Sequence, residues 1–338
     1  MLDDLTFEHL YTSMQKCQSG VTWKPNVAHF TLNALEEVSR LERELDTGTY
    51  KPRKVTHFKL YCPKERDIAC IAFRDRVYQR TLNDRILYPE MTRSFIYDNA
   101  ACQKGKGTDF ARNRLKKFLH EHYRKYSTAG YVAQFDIHSY YPCMDHKLGE
   151  SLFDEFEPEV RERVLSVLHT QYPNDVGYNP GSQLIQLIGI SALNDLDHYI
   201  KEQLHIRHYI RFMDDFILIH PDEEYLEQCR VEIIKRLNAK HMTVNEKKTK
   251  IYPITNGIPF LGFSFWLSGS GKVFILIDPV NVKRKRKNLV RLIKMCKLGK
   301  IDRKTVEQSY QAWRSHAAKG NSYQLLRRMD KYFMDLWR

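Results

Sequence analysis

Phe212-Met213-Asp214-Asp215 sets two adjacent carboxylates between short, β-rich apolar runs, Tyr209 to Phe212 and Phe216 to Ile219. The layout predicts a hairpin with acids at its tip. Two carboxylates held this close repel, and one pKa must rise unless a divalent cation neutralises the pair. The stretch therefore asks for metal. A third acid has a comparable setting: Tyr131-Val132-Ala133-Gln134-Phe135 is predicted as a buried strand ending at Asp136, and Ile137-His138-Ser139-Tyr140-Tyr141-Pro142 leaves it through a turn closed by proline. Asp136 and Asp214 bridging two Mg²⁺ ions, with Asp215 close by, would clamp the attacking and leaving oxygens of a phosphoryl transfer. An Asp-Asp pair at a strand end also occurs in phosphate-accepting regulatory domains and in plain solvated turns. The third acid and the basic segments described below favour the metal site.

Composition narrows the class. The 338 residues exceed a usual single domain, so two or three subdomains around a sizeable core are expected. Mean hydropathy is −0.55 and no apolar run approaches the ~20 residues of a membrane span. The acidic start, Met1-Leu2-Asp3-Asp4, predicts no secretory signal. Seven scattered cysteines without a Cys-x-x-Cys pair read as reduced core thiols of a cytoplasmic protein. Residues 281–338 hold 17 Lys/Arg against 4 Asp/Glu, which is the whole net surplus of +13. That segment opens with Lys283-Arg284-Lys285-Arg286-Lys287 and is patterned as an amphipathic helix, an electrostatic footprint for nucleic acid ahead of a membrane surface or a solvated face.

Along the chain, residues 1–50 are predicted helical, with Val27, Phe30, Ala34, Val38, Leu41 and Leu45 spaced by three and four and a stop at Gly48. Strand-like runs at Phe58–Tyr61 and Ile68–Ile71 flank the charged turn Pro63-Lys64-Glu65-Arg66-Asp67, and a helix is predicted from Arg76 to Leu87. Lys104-Gly105-Lys106-Gly107 lacks Walker spacing; it predicts a backbone-phosphate contact or a simple loop before another helix. Residues 130–265 alternate strands and helices. After 280 the pattern is helical, with Val306, Tyr310, Trp313 and Ala317 on one face and Leu326, Met329, Phe333 and Leu336 on another.

In this order the segments resemble the fingers, palm and thumb of a reverse transcriptase, from about Tyr50 onward. Phe135-Asp136 with Tyr140-Tyr141-Pro142 is similar to the first palm motif, and Phe212-Met213-Asp214-Asp215 to the aromatic-x-Asp-Asp motif. Gly177-Tyr178-Asn179-Pro180-Gly181-Ser182-Gln183-Leu184-Ile185-Gln186, followed by Ala192-Leu193-Asn194-Asp195-Leu196-Asp197, resembles the template-gripping loop and helix. Asn245-Glu246-Lys247-Lys248-Thr249-Lys250 resembles the next motif, and Ile258-Pro259-Phe260-Leu261-Gly262-Phe263 the primer-grip hairpin. The resemblance implies an α+β right-hand polymerase with an antiparallel palm sheet and a helical thumb. Its divisions would be an N-terminal helical segment (1–50), fingers (51–129), palm with part of the fingers and the primer grip (130–265) and basic thumb (266–338).

The resemblance also implies roles. Asp136, Asp214 and Asp215 would bind two Mg²⁺ ions, or Mn²⁺ in their place, with Ile137 as a further metal contact. Lys64 and Arg66 would hold the incoming deoxynucleoside triphosphate. Tyr141 would be the aromatic gate against a 2′-hydroxyl, the group that separates ribo from deoxyribo substrates. Lys248 would protonate departing pyrophosphate, a role that wants a lowered pKa, or be one of several phosphate contacts. Gly181, Ser182 and Gln186 would hold template RNA near the nascent pair. Lys104, Lys106, Phe260, Leu261, Gly262 and the run Lys283, Arg284, Lys285, Arg286, Lys287 would contact primer, template RNA and cDNA. Within the family, the glutamine at 186 and a chain expected to stop after the thumb without a nuclease or RNase H domain resemble the bacterial type of diversity-generating retroelements. That type implies error-prone copying and a small oligomeric accessory protein. Ile185, Pro180 and Phe212 depart from its pattern, so a retron, intron or phage-defence enzyme, or an inactive RNA-binding relative, stays open.

Overall fold

Alternating burial explains the strands, and their pairing brings distant segments together. The computed structural model describes residues 4–61, 65–179 and 181–338. Among these, nine strands form three sheets. Thr56–Leu60 (β1) and Arg66–Cys70 (β2) make an antiparallel pair. Tyr131–Asp136 (β3), His208–Phe212 (β4), Asp215–His220 (β5) and Lys250–Pro253 (β6) form a sheet in the order β4-β5-β3-β6. Ile258–Phe260 (β7), Phe263–Leu267 (β8) and Val273–Ile277 (β9) form an antiparallel meander. The α+β class and antiparallel sheets follow the sequence expectation.

The chain groups into two compact units, each built from three segments. The first comprises Met1–Gly107, Phe135–Phe216 and Gln228–Thr249. Its N-terminal helices are Phe7–Gln18, Pro25–Leu32 and Ala34–Asp46, and Val27, Phe30, Val38, Leu41 and Leu45 are all buried as their spacing predicts. The helix pattern breaks at Asn33, which leaves Leu32 and Leu35 exposed. Helix Phe73–Leu82 continues as a π-helical turn over Asn83–Leu87, so the predicted Arg76–Leu87 helix starts three residues earlier and widens at its end. Helix Gln183–Ser191 begins at Ser182, whose Oγ accepts from the Ile185 N–H at 3.2 Å and satisfies one of the free donors of the first turn.

The second unit comprises Thr108–Gln134, Ile217–Glu227 and Lys250–Arg338. Helix Thr108–Tyr126 follows the Lys104–Gly107 turn. Three basic helices, Pro279–Lys297, Arg303–Ala317 and Tyr323–Asp335, complete the chain, the first two capped by Asp278 and Asp302. Val306, Tyr310, Trp313 and Ala317 are buried on one face, whereas Met329 is the buried member of the second predicted face. The six cysteines among the described residues are free thiols. Among the described residues no helix is long and apolar enough to cross a membrane.

Candidate active site

A two-residue turn delivers the acids. β4 ends at Phe212 and β5 begins at Asp215, so Met213-Asp214 is the whole connection and the strands must run antiparallel. Met213 takes φ 59°, a left-handed conformation that a non-glycine side chain rarely adopts and that clusters at functional sites. Beside the turn, the Ile137 N–H donates to the Asp214 carbonyl at 3.2 Å, and the rings of Phe135 and Phe216 stack at 4.7 Å. Asp136 is anchored through its main chain, its carbonyl accepting from the Asn245 N–H at 2.7 Å and its N–H facing Thr249 Oγ1 at 3.4 Å. The segment bearing Lys248 is thereby docked on the end of β3.

The electrostatics concentrate negative charge at the turn. Burial holds the Asp214 carboxyl above the usual range, and the negative charge of Asp136 pushes it the same way. Lys248 Nζ donates to Asp136 Oδ2 at 2.6 Å. That hydrogen bond raises the lysine pKa, and the charges of Asp136, Asp214 and Asp215 add to the effect. Three carboxylates thus act on one ammonium. Among the described residues no three His, Cys, Asp or Glu side chains close into a metal cage. Mg²⁺ seldom needs one, because it is held by one or two carboxylates plus water and substrate phosphates. The donor set fits Mg²⁺ on those terms. The Ile137 side chain is a buried hydrocarbon and its N–H is taken by the Asp214 carbonyl, so only its main-chain carbonyl could serve as a ligand.

A nucleotide-sized cleft of about 610 Å³ lies in the same unit, lined by Ile68, Ala69, Tyr141, Pro142, Tyr178 and Gly181. Tyr141 Oη donates to Met213 Sδ at 3.7 Å, and a Cβ at residue 189 would collide with the Tyr141 ring, so Gly189 is the space that the ring needs. A Cβ on Gly181 would come within 2.6 Å of the Ala69 carbonyl, which explains glycine there. Arg66 opens β2 opposite Leu60, and Lys64 lies outside the described residues.

Several residues expected to contact nucleic acid have other partners. The Ser182 hydroxyl is the helix cap described above. Gln186 Oε1 accepts from Cys102 Sγ at 3.8 Å. Lys106 Nζ donates to the Asn99 carbonyl at 3.1 Å and Gln103 Oε1 at 2.9 Å, holding its own turn together, while Lys104 sits over the Tyr88 ring at 5.1 Å. In the second unit, Phe260 is buried and Leu261-Gly262 form a two-residue hairpin with φ of 48° and 84°, a conformation that leucine resists. Of the basic run, Lys283, Arg284, Arg286 and Lys287 are exposed, whereas Lys285 is buried with Nζ donating to the Ser309 carbonyl and hydroxyl at 2.6 and 2.9 Å. Arg286 lies over the Tyr332 ring at 5.2 Å. Lys285 therefore leaves the surface run: helical periodicity turns one position in that stretch toward Ser309. Neutralising Lys283, Arg284 and Lys287 together is expected to flatten the salt dependence of duplex binding by roughly 0.9 in log–log slope for each phosphate that is no longer neutralised. Lys285→Ala should leave that slope alone and lower the melting temperature; titrations at several salt concentrations decide it, and an unchanged slope in the triple variant marks the run as solvated surface.

Sequence reasoning missed Arg211, which is fully buried. Its signal was available, since an arginine interrupts the apolar strand Tyr209-Ile210-Arg211-Phe212. Nε and Nη2 grip both oxygens of buried Asp197 at 2.7 and 2.6 Å. Burial works against the charge of Arg211, and Asp197 outweighs it and keeps the guanidinium protonated.

Residues 51–265 match the family described as reverse transcriptase (RNA-dependent DNA polymerase). The chain belongs to that family. No curated protein sequence matches it significantly. Among solved structures it is similar to apo telomerase from Candida tropicalis, at 13% identity and a TM-score of 0.51, over 70% of this chain and 52% of that one. It is also similar to telomerase from Candida albicans in complex with a TWJ fragment of telomeric RNA, at 12% identity and a TM-score of 0.50, over 86% of this chain and 61% of that one. The chain thus spans roughly half to three fifths of those telomerase chains, and at such identities the likeness is one of fold.

Proposed function

We propose that this chain is an RNA-directed DNA polymerase that extends a DNA or RNA primer along a template RNA, making cDNA from deoxynucleoside triphosphates by two-metal nucleotidyl transfer. The observation that carries the reading is the docking of the Asp214 turn and the Lys248 segment on the end of β3, where the Ile137 N–H donates to the Asp214 carbonyl and Lys248 Nζ donates to Asp136 Oδ2, in a chain of the reverse transcriptase family. Bound at these carboxylates, two Mg²⁺ ions, or Mn²⁺ in their place, would supply the positive charge that activates the primer 3′-hydroxyl and neutralises the triphosphate. The protein's part is positioning and charge. Asp136 at the end of β3 and Asp214 in the turn between β4 and β5 are brought near each other by the hydrogen bond from the Ile137 N–H to the Asp214 carbonyl, and Asp215 adds charge from the first residue of β5. Lys248, whose Nζ donates to Asp136 Oδ2 at 2.6 Å, stands beside the carboxylates that would take the ions, placed either to protonate departing pyrophosphate or to hold its charge as a phosphate contact. Gly181 and Gln186, with the main chain at Ser182, face the template, and Lys64 with Arg66 takes the triphosphate.

We assign the chain to the diversity-generating retroelement type, with error-prone copying and a small accessory protein as partner. Support comes from the Gly177-to-Gln186 pattern and its glutamine at 186. The test is primer extension by the full chain on an RNA template with Mg²⁺ and all four deoxynucleotides, followed by sequencing of the cDNA and of RNA that co-purifies. Extension with substitutions concentrated opposite adenine is the expected result. Faithful cDNA would remove the retroelement assignment, and no extension with both the co-purified RNA and the co-purified accessory protein supplied would remove the polymerase.

The gate gives a narrower expectation. Tyr141→Ala should raise ribonucleotide use relative to deoxyribonucleotide use about tenfold, the ratio that ~1.4 kcal/mol of missing steric exclusion produces. Competition assays with paired triphosphates measure it. A ratio equal to that of the parent takes the role from Tyr141.

A further inference from the structure

A charged side chain with no exposure needs a reason to be in a strand core, and the surroundings of Arg211 supply one. A guanidinium carries five N–H donors in a fixed fork. Here Nε and Nη2 take the two oxygens of Asp197, Nη2 also donates to the Ile190 carbonyl at 2.8 Å, and Nη1 donates to the Met213 carbonyl at 3.1 Å. Tyr209 Oη donates to Asp197 Oδ1 at 2.6 Å, so that oxygen accepts twice and Oδ2 is held by Nη2. The main chain of the same residue is tied on its other side, with the Arg211 N–H donating to the Asp98 carbonyl at 3.1 Å and the Arg211 carbonyl accepting from the Ala100 N–H at 2.9 Å. Met213 is the left-handed residue of the Asp214 turn. Ile190 lies in helix Gln183–Ser191, which starts at Ser182 and carries Gln186. Asp197 lies in the next helix, Asn194–His198.

We infer that Arg211 is a positioning residue: its guanidinium, neutralised by Asp197, holds the Met213-Asp214 turn in its left-handed form and locks it to the helix that starts at the template-facing loop. The physical reason is specific. Leaving the αL region would free Met213 of a conformational cost. Without Arg211 the part-buried Met213 carbonyl would lose this donor, so the hydrogen bond from Nη1 is what tips the turn. Lysine cannot replace the fork, because one ammonium does not span Asp197, the Ile190 carbonyl and the Met213 carbonyl. The link to catalysis rests on the reading of Asp214 as a metal ligand, but the state of the turn does not.

The test therefore separates the two. The full chain is labelled with [methyl-¹³C]methionine, and the Met213 resonance is assigned by its disappearance in Met213→Leu. Arg211→Lys is expected to move or broaden that resonance while the other methionine signals hold. Should Arg211→Lys fail to fold, Arg211→Met combined with Asp197→Asn removes both charges, keeps an acceptor for Tyr209 and is expected to fold. A parental Met213 resonance in whichever variant folds overturns the proposal, since a role confined to stability would lower the melting point and leave the turn alone. In primer extension the folded variant should lose roughly 10²-fold in kcat with KM for deoxynucleotide nearly unchanged, the pattern of a misplaced reacting group. Full kcat with a displaced resonance also overturns it. If the parent itself extends no primer, the proposed polymerase activity fails, and the Met213 resonance still decides the bracket.

Discussion

Asp214→Asn is expected to abolish primer extension, with a loss of at least about 10³-fold, while leaving the protein as stable as the parent or more so. The activity loss follows from removing a metal-binding carboxylate, since several kcal/mol of transition-state charge stabilisation go with the metal. The stability effect has the opposite sign because of how Asp214 is held. Burial, reinforced by the charge of Asp136, raises its pKa above that of the unfolded chain. The favourable contribution of such a group is complete below the unfolded carboxylate pKa and is lost as pH rises through the folded value. At neutral pH the ionised side chain therefore works against the fold, and the neutral amide removes that term. The melting temperature of the variant relative to the parent should be highest near pH 7 and should fall toward acid. Primer extension and thermal melts across pH 4–8 read both effects. Equal extension by parent and variant ends the metal assignment of Asp214, and a variant several degrees less stable at pH 7 ends the account of its pKa.

Asp197→Ala is expected to produce the largest loss of stability, about 3–5 kcal/mol, because it leaves a buried guanidinium without its counter-charge. Against a usual total of about 5–15 kcal/mol, such a loss leaves much of the chain unfolded at 37 °C. The same substitution takes the acceptor of the Tyr209 hydroxyl, which has no exposure either. The ion pair need not be stabilising as a pair: its desolvation cancels much of its attraction, and what is costly is to break it. Urea unfolding should therefore show Asp197→Ala far below the parent and the neutral combination Arg211→Met with Asp197→Asn recovering most of the difference. A shift under about 1 kcal/mol for Asp197→Ala would mean that water reaches Arg211 in solution.

The contrast between Asp214 and Arg211 separates what the chain states locally from what it states only when folded. Strands ending at Asp136 and Phe212, a two-residue acidic turn, the face Val306-Tyr310-Trp313-Ala317 and the ordered motifs of a polymerase all follow from runs and spacings within about twenty residues. Those features are legible because apolar periodicity fixes which side of an element is buried before any partner is known. Partners of charged groups are another matter. Lys248 reaches Asp136 across 112 positions, Arg211 reaches Asp197 across 14, and Lys285 turns to Ser309 across 24. Spacing by four from Leu289 and Ile293 puts Lys285 on the buried face of its helix, but nothing local names Ser309 as its partner or marks the Ser182 hydroxyl as a helix cap rather than a template contact. Tertiary structure decided those cases, because burying a charge or a hydroxyl is tolerable only where a second element brings a complementary group to it, and sequence order does not say which elements will meet.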